Sequence, residues 1–400
     1  PQGSLVEVEG EINGDVINTS LVIILEGKEA DDAYQKIKDN VQIGADAPSL
    51  LKDEVTEKLW PQLKEAARKL ICARKLGRMV LLRFHGDADG VCGAFAINEV
   101  VRCKSYQQNA VIYSVRDALR DISGIGQETR PLIILLDFGS SDQSLDGLKL
   151  LEAAGIEYMI IDHHPPGKEV AKRAITPFSV TDNGSKYCAG YLASEIAVAC
   201  GMEIEKAMDL AATACSGDKS NIIEHGEKEV KKAMVLDFLA AHTSFGNNLE
   251  FYKNVMDKAE LFYSISNQAE EAIDEAVGKV RIKETKEGDL NIVHFALENI
   301  VKKGEWPPAG KITTRIFEGK MNDGPLVVIG YNERTLILRL NAEAEKMGLG
   351  ANLLAEEMQK CMGDFVEGGG GHIRAGAIRI REGFAKEVLS QLIEKIKEKK

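Results

Sequence analysis

The sequence predicts an α/β protein, with an N-terminal domain on a mainly parallel sheet, a helical connector and a smaller mixed α/β C-terminal domain. Three observations support this. Four runs between residues 79 and 162 (MVLLRFH, AVIYSV, PLIILLDF and EYMIID) are apolar on both faces, as expected of parallel strands covered by helices. Residues 188–277 lose that rhythm and read as mainly helical, and from about residue 279 strand-like runs return. At 400 residues the chain exceeds the size at which a single core usually keeps growing, so more than one domain is expected.

Taken in order, residues 1–76 form a small appendage. Within it, 4–27 alternate as short antiparallel strands joined by Asn and Gly turns, and 50–76 repeat Leu59, Leu63, Ala66 and Leu70 at helical intervals. Residues 77–247 carry the parallel strands, three of which end in His85, Asp137 and Asp162. Ligands collect beyond the carboxyl ends of such strands, so polar groups stand at the expected rim. Residues 248–278 read as a helical connector. The last domain, 279–400, has strands near KVRIK, LNIVHFAL, PLVVIGYN, TLILRL and AGAIRI, and helices near 351–361 and 384–398.

The formal charge of −12 argues against a protein that coats DNA by its positive field, although bound divalent cations would offset carboxylates where a phosphate approaches. A hydrophobic content of 44% excludes a disordered chain. The seven cysteines form no CxxC pair and sit mostly among apolar residues, which predicts free thiols in a reducing compartment. No apolar run is long enough to cross a membrane and the visible start lacks signal-peptide character, so a soluble cytoplasmic protein is expected.

The sharpest chemical pattern is RFHGDADGVCGAFA, where His85, Asp87 and Asp89 project to one side if the strand exit stays extended. A solvated acidic loop is the plainer alternative for that stretch alone. Downstream, LLDFGSSD adds Asp137, and YMIIDHHPP adds Asp162, His163 and His164 at a third strand end. Asp218, in AATACSGDKSN, offers another carboxylate, with a helix-terminal cap as its structural alternative. His225, His242 and His294 lack such company and read as structural. Near the end, FVEGGGGHIRAGA reads as a loop in which Gly368, Gly369, Gly370 and Gly371 let backbone amides approach phosphate oxygens. His372 and Arg374 follow as donors, and Arg339 in TLILRL offers a further phosphate contact.

Together these motifs resemble the DHH phosphoesterase superfamily, especially the archaeal relatives of the bacterial RecJ exonuclease with a DHHA1-type C-terminal domain. HGDADG, LLDFGSSD, IDHHPP, SGD and GGGGHIRAGA carry the resemblance, which covers nearly everything after residue 78. Phe84 stands where many relatives have Asp. The resemblance implies that His85 and Asp87 bind one metal, that Asp89, His163 and Asp218 bind a second, and that Asp137 bridges them. His164 would face the scissile phosphate and Asp162 would orient the site, while the glycine-rich domain positions the nucleotide. Mixed imidazole and carboxylate ligands favour two Mn²⁺ ions, with Mg²⁺ as a second choice.

The expected activity is a metal-dependent exonuclease on single-stranded DNA or RNA that releases nucleoside 5'-monophosphates, with 3' to 5' polarity. A short-oligoribonucleotide or cyclic-dinucleotide phosphodiesterase is the alternative within the same fold. A non-catalytic repair adaptor is the alternative from another class, opposed by six residues with no structural reason to converge. Expected partners are single-stranded nucleic acid and a Hef-type helicase/nuclease or another repair or replication protein. No membrane partner is expected, and the sequence is compatible with an oligomer.

Overall fold

The computed structural model describes residues 4–126, 128–243, 249–302 and 304–399, apart from the side chain of His372. The chain divides into two compact units, 1–262 and 263–400.

The first unit opens with a hairpin of β1 (Val6–Asn13) and β2 (Val16–Ile24), which turns at Gly14 with φ +63°. Its register pairs Val6 with Ile24, Val8 with Val22 and Ile12 with Ile17 on one face, while Glu7, Glu9 and Glu11 line the other. Every residue of both strands is exposed. An unforeseen helix, α1 (Gly27–Asp39), follows, and then α2 (Glu54–Lys75), started by the Asp53 side chain accepting from Thr56 N. Leu59, Leu63, Ala66 and Leu70 are buried along α2, as their spacing requires.

The parallel sheet comes next, as alternating β3 (Val80–His85), α3 (Ala88–Val100), β4 (Lys104–Gln108), α4 (Val115–Ile125), β5 (Leu132–Leu136), α5 (Leu145–Ala153), β6 (Glu157–Ile161) and β7 (Ala174–Ile175). Strand order is β4-β3-β5-β6-β7, and each neighbouring pair is parallel. The strand expected at AVIYSV is instead the polar KSYQQ of β4. As an edge strand β4 does not need apolar side chains throughout, which removed the signal that marks the central strands. Four helices close the unit: α6 (Ala189–Ala199), α7 (Ile204–Gly217), α8 (Glu227–His242) and α9 (Leu249–Asp257). Every residue of α6 is buried, consistent with a helix apolar on nearly all sides.

The second unit takes most of α10 (Ala259–Gly278). It continues with β8 (Lys283–Glu287), β9 (Leu290–Ala296), α11 (Ala309–Lys320), β10 (Leu326–Tyr331), β11 (Thr335–Leu340) and α12 (Ala342–Lys346), then α13 (Ala351–Cys361), β12 (Val366–His372), β13 (Ala375–Ile380) and α14 (Ala385–Glu398). The sheet order is β12-β13-β11-β10-β9-β8; β9 and β10 are parallel and the other pairs antiparallel. Residues from α13 and α14 pack into one core on the sheet, while Ala276, Ile312 and Ile316 pack into a second. The first strand begins at Lys283, the last residue of KVRIK, after α10 has run to Gly278.

A second correction concerns Gly368, Gly369, Gly370 and Gly371, which lie in the edge strand β12 and not in a loop. Close packing explains two of them. A Cβ at Gly369 would lie 3.0 Å from Ala355 Cβ of α13, and one at Gly371, where φ is +129°, would lie 2.4 Å from Ala375 O.

Candidate metal centre

Three strand ends and two helix ends build the site in the N-terminal unit. β3 delivers His85, after which the chain turns directly into α3 instead of staying extended, so the expected alternation of His85, Asp87 and Asp89 does not hold. Asp87 is the N-cap of α3 and accepts from Gly90 N at 3.0 Å, while Asp89 lies in the first helical turn. The acids still converge, because the turn folds them back toward the strand end. Gly90 permits this: a Cβ there would lie 2.3 Å from His85 O.

Asp137 follows β5 in the left-handed region, with φ +64°, and its N–H donates to Ile161 O. It is buried, and its two oxygens face different partners: Oδ2 is 3.5 Å from His85 Nδ1 and Oδ1 is 3.4 Å from His163 Nε2. His85 Nδ1 also meets Asp87 Oδ2 at 2.6 Å. Beyond β6, Asp162 accepts from Ser140 N with Oδ2, and from both the backbone N–H and Nδ1 of His164 with Oδ1. His163 directs Nδ1 at Ser185 O, 3.0 Å away, which turns Nε2 toward Asp89, Asp137 and Asp218 at 3.2–3.6 Å. Asp218 is the C-cap of α7. Asp89 is clamped by the first amides of α6, Ala189 N at 2.9 Å and Gly190 N at 2.7 Å.

The chemistry of the set is that of a cation site. His85, Asp87 and Asp137 form one group whose ligand atoms lie within 4.8 Å of one another; Asp89, His163 and Asp218 form a second, and Asp137, His163 and His164 a third. Asp137 Oδ1 and His163 Nε2 are buried without a hydrogen-bond partner, a costly state for two polar atoms that face each other's ligand set. Burial raises the carboxyl of Asp89, and the charges of Asp137 and Asp218 raise it further. Burial opposes a charge on His85, but Asp87 and Asp137 outweigh it and push the imidazole up to about 11. His163 is likewise held well above its ordinary value by Asp137, Asp218 and Asp89 against the effect of burial. A bound cation would supply the positive charge these carboxylates draw from protons.

The remaining residues singled out in the sequence belong to the C-terminal unit. Arg339 is buried on β11, where among the described residues its guanidinium bonds only neutral oxygens: Thr314 Oγ1, Leu338 O and Gly310 O. Burial lowers it to about 10. Arg374 is exposed and pairs with Glu345 at 2.6 Å. The backbone of His372 closes β12, but its side chain lies outside the described residues. Sequence reading missed Ser140, Ser185, Ala189 and Gly190, which act through backbone atoms and so leave no side-chain signature. It also missed Asp237, whose carboxylate accepts from Ala88 N at the start of α3.

Fold and site together define an α/β chain with clustered candidate metal ligands at the carboxyl rim of a parallel sheet. Residues 79–217 match the DHH family, N-terminal domain. An uncharacterized protein of Methanocaldococcus jannaschii is 25% identical over 459 residues, covering 94% of this chain but only 59% of that relative's length. Among solved structures, the DHH domain of a member of the s1p family of ribosomal proteins is similar, with a TM-score of 0.71, 23% identity, and coverage of 92% of this chain and 97% of that one. RecJ from Thermus thermophilus, solved in complex with Mn²⁺, gives a TM-score of 0.54 at 16% identity over 88% of this chain and 56% of its own. The chain thus shares the fold of these structures, and the family match lies within its N-terminal unit. Among the described residues, no helix is long and apolar enough to cross a membrane.

Proposed function

We propose that this chain is a two-metal phosphodiesterase acting as an exonuclease on single-stranded DNA or RNA. The observation that carries the reading is Asp137, which reaches His85 with one oxygen at 3.5 Å and His163 with the other at 3.4 Å. In this reading His85 and Asp87 hold one divalent cation, Asp89, His163 and Asp218 hold the other, and Asp137 is shared. The donor set suits Mn²⁺, with Mg²⁺ as a weaker substitute. Bound there, such ions supply Lewis-acid polarisation of a phosphoryl oxygen and a water deprotonated near neutral pH.

The chain's own residues do the rest. Asp162 engages His164 Nδ1 at 2.8 Å, which leaves Nε2 as the ring nitrogen for a phosphate oxygen. Burial opposes a charge on His164, but the hydrogen bond and charge of Asp162 raise its pKa and favour a donating imidazole. In the C-terminal unit, Arg339 is a buried cation bonded, among the described residues, to neutral oxygens, which suits a phosphate. Arg374, His372 and the outer edge of Gly368, Gly369, Gly370 and Gly371 complete the proposed nucleotide contacts.

The reading assigns 77–247 to a catalytic domain, 248–278 to a connector and 279–400 to a DHHA1-like substrate-binding domain, with 1–76 as an appendage. It places the protein in the cytoplasm with 3' to 5' polarity and a Hef-type or other repair-replication partner, the Hef-associated nuclease being the named protein its motifs resemble. End-labelled DNA, RNA and di- to tetranucleotides incubated with Mn²⁺ test it. Nucleoside 5'-monophosphates released from the 3' end of long strands are expected. Cleavage confined to the shortest substrates would overturn the exonuclease reading, and a 3' label retained on shortening polymers would overturn the polarity.

A further inference from the structure

We propose that the amino-terminal end of the parallel sheet carries a binding site for a phosphate dianion, formed by Arg74, Arg102 and Lys104. A cavity of about 480 Å³ opens there, where β3 begins at Val80 and β4 begins at Lys104. That volume falls within the roughly 300–1,000 Å³ of ordinary small-molecule sites. The cavity is separate from the candidate metal centre. β3 runs from Val80 in its wall to His85 at the opposite rim, about 16 Å away at ~3.3 Å per residue. The site therefore does not rest on the function proposed above.

Charge selects the ligand. Arg74, Arg78, Arg102, Lys104 and Glu128 line the cavity, in a chain whose net charge is −12. Arg78 is buried and already engaged: it pairs with Glu157 at 2.8 Å and donates to Arg130 O, Pro131 O and the Tyr34 hydroxyl. Arg74, Arg102 and Lys104 are exposed, and none of the three pairs with a carboxylate among the described residues. Arg74 donates to Val100 O at 3.2 Å, and Lys104 Nζ lies 5.6 Å from the centre of the Tyr106 ring. Three cations thus face one carboxylate, that of Glu128. The excess matches a terminal phosphate, which carries roughly −1.5 to −2 charges at pH 7. An internal strand phosphate, with a single charge, matches it less well.

A plainer account is that these cations answer the carboxyl ends of α2 and α3, which both reach the cavity. Those ends are already capped. Leu76 N donates to Cys72 O, Gly77 N to Arg74 O, Arg78 N to Ala73 O and Val101 N to Ile97 O. Arg74 covers Val100 O as well, so the helix ends leave Arg102 and Lys104 free to meet an anion. Met79 and Cys103 are partly exposed in the same wall and offer an apolar surface beside the charges. A nucleoside monophosphate and free inorganic phosphate share the chemistry of the dianion, and the cavity has room for the larger of the two.

The test is calorimetric titration of the full chain at low ionic strength, with EDTA present to keep divalent cations from the candidate metal centre. Adenosine 5'-monophosphate, inorganic phosphate and adenosine are the three probes. Adenosine 5'-monophosphate is expected to bind, and Arg102→Ala and Lys104→Ala should each weaken it about 10-fold, as loss of one charge-assisted contact does. Glu128→Gln should tighten it, a gain that damage to the fold would not produce. Inorganic phosphate bound as tightly, with the same response to the variants, supports the site and names the free anion as its ligand. Adenosine bound as tightly as its monophosphate overturns the proposal, as does phosphate binding that all three variants leave unchanged. Absence of binding by both phosphate probes overturns it too. Because the titration holds no divalent cation, its failure leaves the two-metal reading standing, and failure of that reading leaves this site standing.

Discussion

Replacing Glu195 with Ala should unfold the N-terminal unit far more easily without touching the cation ligands. Glu195 is fully buried on α6 and accepts three backbone N–H groups: Ser49 at 2.9 Å on Oε2, and Leu50 at 2.9 Å and Leu51 at 3.1 Å on Oε1. Tyr191 adds its hydroxyl at 3.3 Å. Hydrogen bonds to a charged acceptor contribute roughly 1.5–3 kcal/mol each. The three do not simply sum, because Ser49 and Leu51 are partly exposed and can turn to water, and because burying a carboxylate is itself costly. A net loss of about 3–5 kcal/mol is expected, a large share of the roughly 5–15 kcal/mol that holds a typical domain. Urea unfolding with hydrogen exchange at the Leu50 amide measures it, and Glu195→Gln, which keeps one acceptor oxygen, should fall between. A shift worth under about 1 kcal/mol with Leu50 still protected would refute the reasoning.

Asp137→Ala should abolish turnover and reduce Mn²⁺ stoichiometry in calorimetry, since one carboxylate faces both His85 and His163; near-normal activity with two ions bound would rule out sharing. Arg339→Ala or Arg374→Ala should lower kcat/KM roughly 10- to 100-fold by removing a charge-assisted contact, with Mn²⁺ affinity intact by titration. Glu157 is lowered despite burial by Arg78 and Lys69, so its contribution to stability is complete above its unfolded value of 4.5 and is lost as pH falls through the folded value. Glu157→Gln should therefore flatten the acid limb of a Tm-versus-pH curve below that point; an unchanged limb counts against the pairing.

The central sheet was legible because β3, β5 and β6 are largely buried on both faces and announce themselves as mainly apolar runs. β4 was not, since a polar edge strand carries no such signal, and the apolar AVIYSV beside it misled. At the site, the convergence of His85, Asp137 and His163 followed from three strand ends in one parallel sheet. The geometry around Asp87 and Asp89 did not, because the residue at which a strand gives way to a helix is decided by tertiary contacts such as that of Asp89 with α6. Gly369 and Gly371 of β12 were misread for a similar reason: the first answers to the approach of α13 and the second to the paired strand β13, contacts that leave no mark on the glycine run itself.

The left-handed backbone at Asp137 narrows what inheritance can do at that position. Asn and Gly fit such a bend but give up the charge, whereas Glu keeps the charge and suffers both the bend and a longer reach. Duplicated genes freed from selection for chemistry should therefore exchange this aspartate first for Asn or Gly and remain folded. Position 137 would then separate lineages that still hold cations from those kept for their architecture.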